Sequence, residues 1–216
     1  MKKVIITGSS GMVGSLALQE CLGRTDVSQV TTIVRKGSGI THQKLTEVLH
    51  NDFLNYSEIS EHLKDQDLCI YCIGVYTGTV AKNKFREITV DYTRAFAEAL
   101  RQNSEKTTFC FLSGQGADSK EKSRIMFARD KGVAENLLLK LGFAQTYLFR
   151  PGYIYPVIPR KEPSFSYQLM RLLYKPILSK LGAGLSVSSR ELARFMVDTG
   201  LTGGEKTIYE NRDIKV

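Results

Sequence analysis

No apolar run in this 216-residue chain approaches the roughly 18 residues that a membrane-spanning helix needs, which argues against a bilayer anchor. A secretory leader is not expected either, because the N-terminus opens at once on the strand-like run Lys3-Val4-Ile5-Ile6-Thr7. Both absences point to a cytoplasmic protein. Cysteine is scarce, with four residues, two of them in Cys69-Ile70-Tyr71-Cys72. A redox pair must present both sulfurs together. Residues 68–73 read as a strand, and residues three apart on a strand point to opposite faces. The cysteines are therefore assigned to core packing. Lys and Arg exceed Asp and Glu by 30 to 22, but the cations form no block and no nucleic-acid module is recognisable. The net charge of +8 instead suits a phosphate-rich cofactor or an anionic partner. There is no internal repeat and no low-complexity tract. With 42% hydrophobic and 24% charged residues, the composition is that of a soluble globular protein with room for one sizeable core.

Against this background one segment stands out. Gly8-Ser9-Ser10-Gly11-Met12-Val13-Gly14 follows the first β-branched run and precedes Leu16-Ala17-Leu18-Gln19-Glu20-Cys21-Leu22, a plausible helix. Strand, glycine turn and helix form the context that makes a Gly-rich match meaningful. Gly8 would allow a tight turn, Gly11 a close approach to a pyrophosphate, and Gly14 packing of helix against strand. Thr7, Ser9, Ser10, Met12 and Val13 complete the expected phosphate-binding turn. The helix N-terminus adds free amides and a positive dipole end.

Strands and helices alternate along the chain. Strands are predicted at Lys3–Thr7, Val30–Val34, Glu47–Asn51, Leu68–Ile73, Thr107–Ser113 and Gln145–Arg150. Helical periodicity spans Asn83–Arg101, with Phe85, Ile88, Tyr92, Phe96 and Ala99 on one face, and Lys122–Leu141, ending at Gly142. The alternation predicts an α/β fold, a doubly wound parallel sheet of the Rossmann kind. The expected organisation is a core over residues 1–150, a small cap over 151–187, and a last helix and strand over 188–216. The cap segment holds Pro156, Pro159, Pro163 and Pro176 and is basic and apolar from Tyr167 to Leu181.

The second strand ends Ile33-Val34-Arg35-Lys36. An acidic residue here would accept from a free ribose 2′-hydroxyl, whereas arginine accommodates a 2′-phosphate. Arg35 and Lys36 therefore predict NADP(H) in preference to NAD(H), unless they form only a solvated basic turn. Asp52 is placed either to meet the adenine amino group, with Phe53 beside the ring, or to act as a cap or turn residue. Cys72-Ile73-Gly74 ends the fourth strand, where glycine lets backbone pass close to a cofactor.

The order Thr7-Gly8-x-x-Gly11-x-x-Gly14, Arg35, Cys72-x-Gly74, Leu112-Ser113-Gly114-Gln115-Gly116-Ala117-Asp118, Lys131-Gly132 and Phe149-Arg150-Pro151-Gly152 resembles a known family. It is similar to the atypical short-chain dehydrogenase/reductase proteins, close to the Tat-interacting oxidoreductase-like branch, with NmrA-like proteins more distant. The resemblance covers nearly the whole chain. It implies an oxidoreductase acting on a small carbonyl, with Lys131, Pro151 and Gly152 also touching the cofactor. In such reductases a serine ends the fifth strand and a Tyr-x-x-x-Lys pair lies on the next helix. The tyrosine is the general acid, and the lysine holds the ribose and lowers the tyrosine pKa. Here the serine is Ser113, the lysine Lys131, and the tyrosine position Phe127. Phenylalanine has no proton to give. The donor would then be Tyr76, Tyr153, Tyr155 or water, or the protein holds NADP(H) without turnover and contacts a partner protein or anionic surface through its cap. A Phe127→Tyr hydroxyl is expected to face Ser113 across the cleft and to raise reductase activity.

Overall fold

The computed structural model describes residues 1–158 and 185–214. The expected cap lies mostly outside the described residues. Seven strands form one parallel sheet: β1 (Lys2–Thr7), β2 (Val27–Val34), β3 (Leu45–Leu49), β4 (Leu68–Tyr71), β5 (Thr108–Leu112), β6 (Gln145–Arg150) and β9 (Ile208–Glu210). Their order is β3-β2-β1-β4-β5-β6-β9, so the winding reverses between β1 and β4. The doubly wound Rossmann architecture is as expected. Two short parallel strands, β7 (Tyr153–Tyr155) and β8 (Ser186–Ser188), pair separately.

The sheet is buried on both faces because its strands are apolar at successive positions rather than alternate ones. Val4 and Ile6 enter one core with α1 (Gly14–Gly23) and α5 (Ser189–Thr202). Ile5 enters the other with α3 (Tyr92–Asn103) and α4 (Met126–Lys140). The cysteines follow the same geometry. Cys69 belongs to the second core, whereas Cys72 packs against the first, and all four thiols are free.

The differences from the predicted elements have local causes. The third strand lies two residues earlier than expected, because its pairing runs from Val30↔Leu45 to Val34↔Leu49 and stops where β2 ends at Val34. The long helix predicted over 83–101 is α2 (Lys82–Arg86) and α3, joined by a π turn over Glu87–Asp91. Phe85 and Phe96 are nonetheless both fully buried, as the periodicity requires. Helix α4 starts at Met126 rather than near Lys122. Asp118 accepts hydrogen bonds from the amides of Lys120, Lys122 and Ser123, which winds 118–123 into a loop instead. Those amides hold the Asp118 carboxyl below its usual range. Gly142 closes α4 at φ +70°, the left-handed geometry of a helix terminator.

Candidate functional site

A cavity of about 580 Å³ opens at the C-terminal ends of β1, β4, β5 and β6, where the winding reverses. In open α/β sheets this is where ligands bind. One wall is the turn after β1. Gly8 adopts φ +72°, and a Cβ there would stand 2.6 Å from the Cys72 carbonyl. A Cβ on Gly14 would stand 2.2 Å from the Gly8 oxygen. Gly14 thus lets the helix close on the turn itself, not on the strand as the sequence suggested. The turn is pinned by a 2.9 Å hydrogen bond from Gly11 N–H to the Gly8 carbonyl. Among the described residues, no hydrogen bond uses the Met12 or Val13 amide, and both residues line the cavity. Thr7 Oγ1 is buried here without a partner. Free amides at a helix N-terminus, with no acidic side chain in the first turn, suit the phosphates of a dinucleotide.

The structure brings most of the predicted residues to this cavity. Gly11, Met12, Val13, Cys72, Ile73, Gly74, Ser113, Phe127, Lys131, Pro151 and Gly152 all line it. A Cβ on Gly74 would meet nothing within 4 Å, so its position faces open space. Thr7, Gly8, Ser9 and Ser10 stand behind or beside the wall. Arg35 and Lys36 are exposed just past β2, whose Ile33 pairs with Thr7, so they flank the glycine turn. Asp52 and Phe53 do not line the cavity. Asp52 Oδ1 accepts from the Leu54 amide at 3.0 Å, a local turn bond. Phe53 stacks on Tyr92, centroids 5.6 Å apart.

Lys131 is 8% exposed, not the solvated helix lysine it could have been. Its Nζ donates to the Leu112 carbonyl at 3.1 Å and lies 4.9 Å from the Phe111 ring centroid. Burial pushes its pKa down to about 8, opposed by the Glu135 charge. Burial also pushes the neighbouring Cys72 thiol up to about 12, so it stays protonated. Tyr76 and Tyr153 line the cavity as well.

Phe127 is oriented differently from the expectation for a tyrosine at that place. A Cβ built on Gly114 would lie 2.6 Å from Phe127 Cζ and 3.5 Å from both Cε atoms. The 2.6 Å and the two equal 3.5 Å distances together put that point on the long axis of the ring, beyond Cζ. A tyrosine hydroxyl would extend along the same axis and strike the Gly114 backbone. The expected position facing Ser113 across an open cleft is therefore corrected.

Two buried charged residues at this wall were given no role from the sequence. Glu135 is 1% exposed, one helical turn after Lys131, and accepts from Ser113 Oγ–H at 2.5 Å. Arg150 grips the Glu135 carboxylate with both Nε and Nη2. It also donates to Glu210 at 3.1 Å and to Ser119 at 2.8 Å. The family pattern places an acid four residues before Lys131, whereas this chain has one four residues after it. The available signal was a glutamate between Ala134 and Leu138, on the buried side of an amphipathic helix. Arg150-Pro151-Gly152 is clasped to the same wall, with Gln115 N–H donating to the Pro151 carbonyl and Gly152 N–H to Asn211 Oδ1.

Comparison with known proteins agrees with this geometry. A family model described as NAD(P)H-binding matches residues 8–199. Protein HTATIP2 of Rattus norvegicus is 26% identical over 217 residues, covering 99% of this chain and 88% of that protein. Protein fmp52, mitochondrial, of Emericella nidulans is 29% identical over 228 residues, covering 97% and 95%. Among solved structures, the Bordetella bronchiseptica enzyme WbmH in complex with NAD+ superposes with a TM-score of 0.72 at 18% identity, over 97% of this chain and 75% of that one. The UDP-N-acetylglucosamine 4-epimerase of Bacillus cereus gives 0.70 at 13% identity, over 97% and 78%. At such identities the structures speak for the fold alone. The family match runs from the glycine turn through the cavity wall into α5, and the chain accordingly belongs to the NAD(P)H-binding family.

Proposed function

We propose that this chain is an atypical short-chain dehydrogenase/reductase that prefers NADP(H) and slowly interconverts a small carbonyl compound and its alcohol. The observation that carries the reading is the meeting of Lys131 and Ser113 on one wall of a cavity whose other wall is the glycine turn. The nicotinamide cofactor would supply the hydride. The Met12 and Val13 amides would hold its pyrophosphate, and Arg35 would take a 2′-phosphate in its planar fork, with Lys36 adding charge. The Lys131 ammonium would hold the ribose hydroxyls. Ser113 orients the reacting oxygen. Phe127 offers no proton, and loss of a positioned acid typically costs ~10²–10⁴ in rate. Turnover is therefore slow.

Mass spectrometry and absorbance of the purified protein provide the test. Co-purified NADP(H), with slow NADPH oxidation over a panel of small carbonyls, supports the reading. Co-purified NAD(H) would overturn the preference. A second reading is favoured by the Phe127 ring tip against Gly114. In it the protein holds NADP(H) without turnover and serves a partner protein or an anionic surface through segment 151–187. Complete absence of oxidation with the cofactor bound would select that reading. A cap over residues 151–187 predicts that NADPH slows hydrogen exchange there. Among the described residues, no helix is long and apolar enough to cross a membrane. We assign the chain to the cytosol. Several fungal relatives are named mitochondrial, so subcellular fractionation decides between the compartments.

A further inference from the structure

The charged cluster beneath the cavity has no part in the scheme above, yet it touches the one hydroxyl that scheme uses. Glu135 and Arg150 are paired through two nearly parallel hydrogen bonds, with side chains 1% and 10% exposed. Arg150 donates to both carboxylate oxygens of Glu135, and Ser113 donates to one of them, so both oxygens are engaged as acceptors. The Ser113 hydroxyl has a single proton, and it is committed to Glu135 Oε1. What Ser113 has left to offer the cavity is lone pairs.

We propose that Glu135 is a positioning residue that fixes Ser113 as a hydrogen-bond acceptor, so that the site selects the alcohol partner of its carbonyl–alcohol pair. This rests on the cofactor reading given above. A serine free to rotate could donate to a carbonyl oxygen. Ser113 cannot do so without leaving Glu135 and exposing a buried charge to an unmet acceptor site, which is costly in a low-dielectric interior. A substrate hydroxyl donates to Ser113 without disturbing that bond. Arg150 sustains the arrangement from below. Its further bonds to Glu210 and Ser119 tie the cluster to β9 and to the loop before α4, so the carboxylate has no slack.

The experiment uses the full chain saturated with NADP+ and a matched pair of probes, cyclohexanol and cyclohexanone, followed by ligand-observed NMR. The expected result is alcohol binding about tenfold tighter than ketone, the ratio one hydrogen bond supports. Glu135→Leu removes the acceptor and frees the Ser113 proton, so the preference should fall to parity. Ser113→Ala removes the hydroxyl but leaves the Glu135–Arg150 pair intact. It should erase the preference too, and it keeps the test decisive if Glu135→Leu does not fold. A purely structural role for Glu135 would weaken both probes equally and leave their ratio unchanged. An unchanged ratio, tighter ketone binding, or binding of neither probe overturns the proposal. Calorimetry of NADP+ on the same samples separates the two readings. No NADP+ binding refutes the cofactor reading, whereas bound NADP+ without alcohol preference refutes only this one.

Discussion

Phe127 and Lys131 carry the sharpest expectations for single side chains. Because the Phe127 ring points at Gly114, Phe127→Tyr must shift either the ring or the backbone. The expected outcome is a gain in NADPH-dependent carbonyl reduction of less than tenfold, with an overpacking cost of about 1–3 kcal/mol in unfolding free energy. Parallel activity and denaturation measurements check this. A gain of several orders of magnitude at unchanged stability would mean that the ring swings freely into the cleft. Lys131 gives a pH signature. Its folded pKa of about 8 lies below the ordinary lysine value of 10.5, so between these limits the unfolded chain binds more protons than the folded one. Stability attributable to Lys131 therefore rises as pH increases through that window, by roughly 3 kcal/mol in all. The buried cysteines work in the opposite sense, since their folded pKa values are raised. The quantity to measure is the difference between wild type and Lys131→Met in urea midpoints from pH 7.5 to 10.5. A flat difference would show that Lys131 is not desolvated.

Among the elements, α4 is the one on which the site depends, and a glycine sets its position. A Cβ on Gly132 would lie 1.8 Å from the Asp118 carbonyl oxygen, and Asp118 N–H already donates to Ala128 at 2.8 Å. The helix thus lies directly on the loop that follows Ser113. Gly132→Ala should cost about 3 kcal/mol or more, because backbone on both sides resists movement. It should also weaken cofactor binding, since Lys131 moves with the helix. Thermal unfolding and NADPH titration test both effects, and a wild-type melting temperature would contradict them. At this scale the sequence was informative where one signal dominated. The glycine turn, the parallel strands and the apolar faces of α3 and α4 follow from period and β-branching. The start of α4 did not, because the Asp118 side chain captures backbone amides that the periodicity assigns to helix. The π turn at Glu87–Asp91 escaped as well, since one extra residue in a helix barely disturbs the apolar stripe. Arg150 is legible only as part of the Phe149-Arg150-Pro151-Gly152 motif and Glu135 not at all, because it is their pairing across α4 and β6 that lets both charges be buried.

For the whole molecule, two apolar cores hold a parallel sheet whose reversal point leaves a cavity beside free backbone amides. We propose that the dinucleotide binds in this cavity, and the exposed Arg35 and Lys36 are the residues on which the proposed preference for NADP(H) rests. Replacing Arg35 with Ala should remove a charge-assisted contact of roughly 1.5–3 kcal/mol and bring NADPH close to NADH in affinity. The most direct measurement is titration calorimetry of NADPH and NADH against the wild-type protein and Arg35→Ala. The account predicts that NADPH binds the wild type at least about tenfold more tightly than NADH, and that Arg35→Ala loses this advantage while keeping its affinity for NADH. Equal affinities in the wild type, or tighter binding of NADH, would contradict it.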